Sequence, residues 1–444
     1  MSDLSSTVDE PDRTVPVLRD TDVLVVGGGP AGVCAAVAAA RTGARVLLME
    51  RAGFLGGTAT GGMVAAWNGF FWRDVRVTGG IAYEIVERLR AAGGGHPSFV
   101  HHIAGELTDS PLGFETFPFD PEILKFVLDD LVGEAGVQVL HHVHAAALTR
   151  HDRAVDTVIY EGPTARGGIR AHRVIDATGS GTIAFKAGAS AAPMSLPTQP
   201  MTLMMRLSGV NRDELAATAK AVRREIVHAG VERGSLFYRT LAVSWSPSNG
   251  DAFLLMTSVN GKDAADEFEL TGAEIEGRRQ ARSTLAYLRE HMPGFASAQL
   301  VQLAPWIGVR ESRRVLGEYV LTGDDVLTGR AFSDAVSWGG GPLDLHEGHS
   351  VSLTSPQRPF AVPYRCLLPL GIDNMLVTGR AVSADSAGMG GLRHMGGVMP
   401  VGEAAGVAAA LSLAAGLRPR ELSVDDLRNR LRRAGVIVDS PVGR

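Results

Sequence analysis

The chain has 444 residues, of which 45% are hydrophobic and 20% charged, and its formal net charge is −5. This composition is that of a globular protein, and the net negative charge lacks the basic footprint of a nucleic-acid-binding protein. The two cysteines, Cys34 and Cys366, lie far apart and form no CxxC pair, which excludes a redox dithiol, an iron–sulfur site held by four cysteines and a disulfide framework.

The N-terminal segment MSDLSSTVDEPDRTVPVLRD contains no apolar core, so it does not resemble a secretory signal. The sequence predicts a disordered arm over residues 1–20. No apolar run approaches the ~20 residues that span a membrane. Low cysteine usage is typical of a reducing compartment. We therefore expect a cytoplasmic protein with no membrane partner.

The remaining chain shows the periodicities of alternating strands and helices. A strand is predicted over 21–26, a helix over 30–41 and a strand over 45–50. Asp120-Pro121 is a typical helix start and predicts a helix over 120–135. The other predicted elements are a helix over 79–92, short strands within 137–177, strands within 200–208 and 236–258, helices over 211–229 and 262–291, strands over 361–367 and 374–378, and a helix at about 400–415.

The first strand, helix and second strand enclose a glycine fingerprint. Gly27, Gly29 and Gly32 form G-x-G-x-x-G at the turn from strand to helix. Such glycines allow a tight turn, close approach of a pyrophosphate and close packing of the helix. Glu50 ends the second strand, where an acid accepts a ribose hydroxyl. The order of these features predicts a dinucleotide site.

Additional loops favour FAD over NAD as the dinucleotide. A second glycine-rich loop, Gly56-Gly57-Thr58, follows Glu50, and a strand closes on Ala177-Thr178-Gly179. A further strand ends at Gly379, before a glycine-rich helix start whose N-terminus would stabilise the reduced flavin. The predicted FAD-binding residues are Gly27, Gly29, Pro30, Ala31, Gly32, Glu50, Arg51, Gly56, Gly57, Thr58, Ala177, Thr178, Gly179, Gly379, Arg380, Gly402 and Ala405.

These blocks together resemble the FAD-dependent oxidoreductases allied to the flavoprotein subunit of fumarate reductase and succinate dehydrogenase. The resemblance covers residues 21–411 and is carried by GGGPAG, LGGTATGG, IDATGSGT, QPMTLMMRLSGV, IGVRESRRVLGEYVLT, PLDLHEG, VPYRCLLP, NMLVTGR and GEAAG. It implies a bound FAD and a two-domain fold. The histidine that often carries the flavin covalently in those relatives is missing from Gly57-Thr58-Ala59-Thr60, so we expect non-covalent FAD.

The expected fold class is α/β, a Rossmann-like FAD-binding domain with an inserted α+β substrate domain. We assign residues 21–199 and 355–444 to the FAD-binding domain and residues 200–354 to the inserted domain. The small-residue helices are compatible with a homodimer. Paired histidines such as His101-His102 lack the spacing of a metal site, so no metal is expected.

Candidate catalytic groups come from three polar segments. Asp344 and His346 stand two apart in PLDLHEG, so in an extended segment they share a face, and the carboxylate can orient the imidazole for proton transfer. Arg393 and His394 lie at the start of the predicted flavin-facing helix, where a cation would favour the reduced flavin and His394 could relay a proton. The alternative is that this helix-entry loop grips a phosphate or a backbone carbonyl.

The third segment is IGVRESRRVLGEYV. On a strand, Glu311 and Arg313 would share one face, and Arg310 and Arg314 the other. The arginines could hold a carboxylate or polarise a carbonyl, or they could form an ion-pair network with Glu311 that braces the domains.

The main functional hypothesis is oxidation of a small organic molecule by hydride transfer to flavin N5, with electrons passed to oxygen or another acceptor. His346 oriented by Asp344 would be the base, and Arg310, Arg313 or Arg393 would hold an oxyanion or carboxylate. The alternative is reduction of an activated C=C bond. A flavin monooxygenase is less favoured, because Gly250-Asp251 lies outside the expected context, as is a non-catalytic FAD in a partner-binding protein.

Overall fold

The computed structural model describes residues 12–103, 113–194 and 198–443. The first part of the chain forms β1 (Val17–Val26), α1 (Pro30–Arg41), β2 (Val46–Met49), β3 (Ala66–Trp67), β4 (Phe71–Trp72), β5 (Val75–Arg76), α2 (Gly80–Ala91), β6 (Val100–Ile103), β7 (Gly113–Pro118), α3 (Pro121–Glu134), β8 (Gln138–Leu140), β9 (His144–His151), β10 (Ala154–Glu161), β11 (Arg166–Asp176) and α4 (Thr182–Lys186).

The middle of the chain forms β12 (Met205–Ser208), α5 (Arg212–Ala217), α6 (Lys220–Glu232), β13 (Val243–Trp245), β14 (Ala252–Leu254), α7 (Glu267–His291) and β15 (Gln299–Leu303). The last part forms α8 (Gly323–Thr328), β16 (Ala335–Gly339), β17 (Leu343–Glu347), β18 (Ser350–Thr354), β19 (Phe360–Pro363), β20 (Met375–Val377), α9 (Ser386–Leu392), α10 (Met395–Ala414) and α11 (Val424–Arg433).

The central sheet is mostly parallel. Within the described residues it has seven strands in the order β8-β2-β1-β11-β10-β9, with β20 also paired to β11. β1 runs parallel to β2 and β11, while β9 and β10 form an antiparallel extension. Val23 and Val25 face one core and Leu24 and Val26 face another. Burial on both faces explains why β1 ends in an unbroken apolar run.

Helix α10 packs closely on α1 through two glycines. A Cβ at Gly402 would lie 2.0 Å from the Ala31 carbonyl oxygen, and one at Gly406 would lie 2.1 Å from the Ala35 carbonyl oxygen. Among the described residues, α10 is the one helix long and apolar enough to cross a membrane, yet 83% of its apolar window is buried inside the protein. Its hydrophobicity therefore serves packing against α1 and the sheet.

A second sheet lies in the middle of the chain, with the order β13-β14-β12-β15 and antiparallel pairing. It shares a hydrophobic core with α7, in which Met205, Leu254 and Leu288 are fully buried. The fold is therefore a Rossmann-like α/β domain with an additional α+β domain, as the sequence predicts.

The pairing of the later strands bears on where that additional domain ends. β16 pairs with β19, and Leu321 forms a bridge with Ala384. Segments after β15 thus contact the C-terminal part of the chain. The boundaries at residues 199 and 354 remain predictions.

Several local expectations were wrong, and the predicted helix over 211–229 is divided into α5 and α6. β1 begins at Val17, where Val17 pairs with Gly168, so residues 17–20 are a strand and not part of a disordered arm. Val17 and Leu18 are apolar but exposed, and Arg19 and Asp20 are charged, so the four residues carry no pattern of a buried strand. The predicted strand over 361–367 ends at Pro363 and continues as a 3-10 helix, Tyr364–Leu367. The remainder of the predicted arm, residues 1–11, lies outside the described residues.

Candidate functional site

A cavity of about 450 Å³ lies at the carboxyl ends of the central parallel strands. Its wall includes Val26 and Met49, the last residues of β1 and β2, and Ala177, which follows β11. This is the edge at which open α/β sheets bind nucleotides. The same cavity extends to His346 on β17, so the nucleotide fingerprint and the predicted catalytic groups share one site.

The fingerprint glycines have separate roles. Gly27 adopts φ +106°, which favours glycine, and Gly32 lets α1 approach so closely that a Cβ there would lie 1.8 Å from the Gly27 carbonyl oxygen. A Cβ at Gly29 would meet no protein atom within 4 Å. Gly29 therefore leaves open space at the N-terminus of α1, where a phosphate would be held by backbone N–H groups.

Glu50 is buried at the same end of the cavity. Its Oε2 accepts a hydrogen bond from Gly28 N at 2.6 Å, and its Oε1 accepts one from Ala52 N at 2.8 Å. An ionised carboxylate has about four acceptor positions, so capacity remains for a ribose hydroxyl. The geometry fits the role predicted for Glu50.

Most predicted FAD-binding residues line this cavity. They are Gly27, Gly29, Pro30, Ala31, Glu50, Arg51, Gly57, Thr58, Ala177, Thr178, Gly179, Gly379 and Arg380. Arg380 donates to the Val309 carbonyl oxygen at 2.6 Å, and burial lowers the pKa of its guanidinium to about 10. At neutral pH Arg380 is still a cation, and it suits a bound phosphate.

Four predicted FAD-binding residues lie off the cavity wall. Gly32 and Gly402 pack helices against neighbouring backbone, and Ala405 is fully buried in α10. Gly56 forms a turn at φ +103°, with its Cβ position 2.5 Å from the Thr60 Cγ2 atom. Sequence patterns do not separate glycines that touch a ligand from glycines that allow close packing.

The other end of the cavity holds a cluster of charged groups. Nε2 of His346 lies 3.0 Å from Oδ1 of Asp344, and a guanidinium nitrogen of Arg393 lies 3.1 Å from Oδ2 of Asp344. Asp344 and His346 share one face of β17, as their spacing predicts. Arg310 lines the same space and donates to the Pro200 carbonyl oxygen at 2.8 Å.

The charges in this cluster set the ionisation of its members. Burial, together with the charge of Arg310, lowers the pKa of His346 to about 4, although Asp344 acts in the opposite direction. Burial opposes ionisation of Asp344, but His346 and Arg393 outweigh it and hold the pKa of that carboxyl well below its usual range. At neutral pH, Asp344 is an anion and His346 is neutral.

His394 lines the cavity and precedes α10. Its Nε2 lies 2.8 Å from the Pro342 carbonyl oxygen, which can only accept a hydrogen bond. Nε2 therefore carries the proton and donates a hydrogen bond to this backbone carbonyl. Burial lowers the pKa of His394. Of the contacts considered for this helix-entry loop, the structure shows the one with a backbone carbonyl.

The segment around Arg310 differs from its predicted form. Residues 309–314 are not a strand, and Glu311 forms a buried ion pair with Arg314 at 2.7 Å. Arg313 does not line the cavity, and its guanidinium lies 4.6 Å from the ring centre of Phe185. The alternation rule requires a regular strand, so it misplaced Arg313.

Several buried polar atoms at this end have no hydrogen-bond partner in the described residues. They are Oδ1 of Asn68, Nε2 of Gln199, Nε of Arg393 and Oδ1 of Asp344, whose 3.0 Å contact with Nε2 of His346 lacks hydrogen-bond geometry. Asn68 and Arg393 line the cavity, and Gln199 accepts from His346 N at 3.1 Å. Buried polar groups are normally satisfied, so these atoms fit a polar ligand group such as the edge of a flavin.

Sequence reasoning missed Tyr238, Asn68, Gln199 and Trp306. Tyr238 is buried, and its hydroxyl lies 3.4 Å from Nδ1 of His346. Burial raises the pKa of Tyr238, so its phenol stays protonated. No motif surrounds Tyr238, because the additional domain brings it to His346 from 108 residues away. Trp306 adjoins the IGVRES block, a signal that could have found it.

The contacts of His346 predict its neutral tautomer. Oδ1 of the Asp344 carboxylate lies 3.0 Å from Nε2, and its negative charge favours the proton on Nε2 and the free lone pair on Nδ1. In ¹⁵N-histidine-labelled protein, with the signal assigned by His346→Gln, we expect this tautomer at pH 7 and titration near pH 4. Asp344→Asn removes a charge that raises the pKa, so titration should move lower still. An Nδ1–H tautomer, or titration near the ordinary histidine value, would contradict the assignment.

Comparison with known proteins supports FAD as the cofactor bound in this cavity. A family model described as FAD dependent oxidoreductase matches residues 22–431. A thiamine thiazole synthase from Aeropyrum pernix is 32% identical over 164 residues, which are 36% of this chain and 54% of that protein. The chain thus spans about half the length of this curated relative.

Solved structures are similar to this chain at low identity. A geranylgeranyl bacteriochlorophyll reductase-like protein from Thermoplasma acidophilum has a TM-score of 0.47 at 15% identity, covering 94% of this chain and 82% of that one. A p-nitrophenol 4-monooxygenase from Pseudomonas putida has a TM-score of 0.47 at 13% identity, covering 94% and 84%. Likeness at this level does not indicate a substrate.

Proposed function

Since the chain belongs to the FAD dependent oxidoreductase family, we propose that it is an enzyme that oxidises a small organic molecule carrying an anionic group. FAD, its cofactor, supplies a hydride acceptor at flavin N5 when bound. Electrons then pass to oxygen or another acceptor. One observation supports this proposal most directly. The cavity that holds the nucleotide fingerprint is also lined by four ionisable side chains, those of His346, Asp344, Arg393 and Arg310.

His346 is the group proposed to accept the substrate proton. It is neutral at pH 7, and its free lone pair is on Nδ1, because Nε2 faces Asp344. The 3.4 Å separation between Nδ1 and the Tyr238 hydroxyl is too long for a strong hydrogen bond. Protonation at Nδ1 would create an imidazolium, and the neighbouring Asp344 carboxylate would stabilise this cation.

Arg310 is the group proposed to hold the anionic part of the substrate. One of its terminal nitrogens donates to the Pro200 carbonyl oxygen and the Thr202 hydroxyl. Among the described residues, no carboxylate lies within ion-pair distance of Arg310. Burial lowers its pKa to about 10, so a bound anion would relieve the cost of an isolated buried cation. Arg393 already pairs with Asp344, so it serves chiefly to keep that carboxylate charged.

The alternative is reduction of an activated C=C bond, as the resemblance to fumarate reductase flavoproteins implies. One observation favours it. Arg310 has a lowered pKa of about 10, which makes it a better proton donor than an ordinary arginine. His346, with a pKa of about 4, is unprotonated at neutral pH, so in this alternative Arg310 would be the proton donor. The specific relationship to fumarate reductase flavoproteins is itself a proposal, made together with this activity.

Anaerobic mixing tests the proposal. Small hydroxy acids and amino acids are mixed with oxidised holoenzyme, and loss of the 450 nm flavin band reports oxidation of the added compound. For an acid that bleaches the band, Arg310→Gln should raise the concentration for half-maximal bleaching by about tenfold to a hundredfold, as expected for losing a charged hydrogen bond. The matched control is Arg313→Gln, which removes an arginine outside the cavity.

Either of two results would argue against substrate oxidation by this site. One is that Arg310→Gln and Arg313→Gln weaken bleaching equally. The other is that no acid bleaches the flavin, while photoreduced holoenzyme is reoxidised without oxygen by enoates or enones, which supports the alternative. Mixing photoreduced holoenzyme with air-saturated buffer then reports whether oxygen is an acceptor.

A further inference from the structure

Four side chains form a continuous stack beside one end of the cavity. The rings of Phe54 and Trp306 are nearly parallel, with an angle of 4° and centroids 5.5 Å apart. The guanidinium of Arg51 lies 5.4 Å from the Trp306 ring centre, and the Lys125 ammonium lies 4.3 Å from the Phe54 ring centre. The order is therefore cation, indole, phenyl, cation, an arrangement favoured by the negative faces of both rings.

The stack reaches the cavity through one ring only. Trp306 and Arg51 line the cavity, together with Glu50 and Gly57. Phe54 does not line it and lies behind the indole. Glu50 marks the end where the sequence and the geometry place the FAD ribose. Trp306 is therefore a wall of the adenosine diphosphate end of the site.

The indole is held in place by the second glycine-rich loop. Trp306 N donates to the Gly61 carbonyl oxygen at 3.3 Å. A Cβ at Gly61 would lie only 2.0 Å from the indole Cζ2 atom, so the ring rests directly on that loop. Trp306 follows β15 of the second sheet, whereas Phe54 follows β2 of the central sheet. The stack thus joins two separate parts of the chain across the rim of the cavity.

We propose that Trp306 retains FAD by closing the adenosine diphosphate end of its site, and that Phe54 acts through Trp306 by supporting the indole. The clasp consists of Trp306 and Phe54 together. The proposal depends on FAD as the cofactor and is independent of the substrate and of the direction of the reaction. It gives this half-buried aromatic pair a role in an enzyme in which we expect FAD to be held without a covalent link at Gly57-Thr58.

Release of FAD from the holoenzyme tests the clasp. Holoenzyme is diluted, and free flavin is measured over time by ultrafiltration and its absorbance at 450 nm. Trp306→Ala should release FAD about tenfold faster, and Phe54→Ala about threefold faster, although Phe54 does not touch the cavity. Trp306→Phe should restore slow release to within about threefold of the natural protein. The double alanine variant should release FAD no faster than Trp306→Ala, because Phe54 acts through the indole.

Matched controls separate retention of FAD from general loss of aromatic packing. Trp245→Ala removes a tryptophan of β13 whose ring centre lies 5.4 Å from the guanidinium of Arg212, and Phe268→Ala removes a phenylalanine that is 90% exposed. Neither residue lines the cavity, so FAD release should stay within about twofold of the natural rate. Circular dichroism of each variant reports folding.

Three results would overturn the proposal. The first is that Phe54→Ala leaves FAD release unchanged. The second is that the effects of the two alanine variants multiply in the double variant. The third is that the control variants release FAD as fast as Trp306→Ala. If Trp306→Ala does not fold, the other two variants test the proposal. Faster FAD release from Phe54→Ala together with near-natural release from Trp306→Phe would support the clasp.

Discussion

Replacing Gly29 with valine is expected to abolish tight FAD binding while leaving the apoprotein folded. A Cβ at this position meets no protein atom within 4 Å, and the backbone φ of −69° suits any residue. The added methyl groups would occupy the space in which a pyrophosphate approaches the N-terminus of α1. We expect FAD affinity to fall by about a hundredfold or more, roughly 2.7 kcal/mol. Titration of apoprotein with FAD, followed by flavin fluorescence, measures the change.

The matched control is valine at Gly32, three residues further along. There a Cβ would lie 1.8 Å from the Gly27 carbonyl oxygen, so the helix must move. We expect a loss of stability of about 3 kcal/mol or more, seen as a lower melting temperature of the apoprotein. If Gly29→Val instead binds FAD with natural affinity, the fingerprint does not hold the cofactor.

The second large effect is expected at His346. If it accepts the substrate proton, His346→Gln should slow flavin reduction by substrate about 10²- to 10⁴-fold, the usual contribution of a general base. FAD affinity should be unchanged, because the imidazole belongs to the charged cluster and not to the nucleotide end. Single-turnover flavin reduction, measured anaerobically with an acid that bleaches the natural enzyme, gives the rate. An unchanged rate would show that another group takes the proton.

The pH dependence gives a separate check on the same residue. A lowered pKa means that the neutral, proton-accepting form is present above about pH 4 and is lost only as the pH falls through that value. The kcat/KM of the natural enzyme should therefore show no acid limb between pH 8 and pH 5 from His346, whereas an ordinary histidine would give one near its usual pKa of ~6.5. For this test the substrate must not itself titrate in that range.

Much of the nucleotide end could be predicted from the sequence, because its signals are local. The turn of Gly27 and Gly29, the acid at Glu50 and the Asp120-Pro121 helix start each depend on a few neighbouring residues. The structure confirms α1 at the predicted bounds Pro30–Arg41 and shows the Asp120 carboxylate accepting from Glu122 N at 2.9 Å. Steric rules for turns and helix ends act over a few residues, so the local pattern is sufficient.

In the charged cluster, the sequence predicts which side chains are adjacent but not how they ionise. Asp344 and His346 share a face because they are two apart on a strand, which spacing alone indicates. Their ionisation depends on burial and on Arg310 and Arg393, which come from other elements. Spacing predicts adjacency, but the dielectric and the charges around a group are properties of the assembled protein.

The sequence by itself determined the cofactor class, the strand and helix order of the nucleotide half, and the pairing of Asp344 with His346. Only the tertiary structure decided that Gly402 packs α10 on α1, that Arg313 lies away from the cavity, and that Tyr238 and Trp306 reach the site. Each of these depends on where separate elements meet. A motif records contacts between chain neighbours, whereas long-range packing brings together residues whose local sequence carries no trace of their partners.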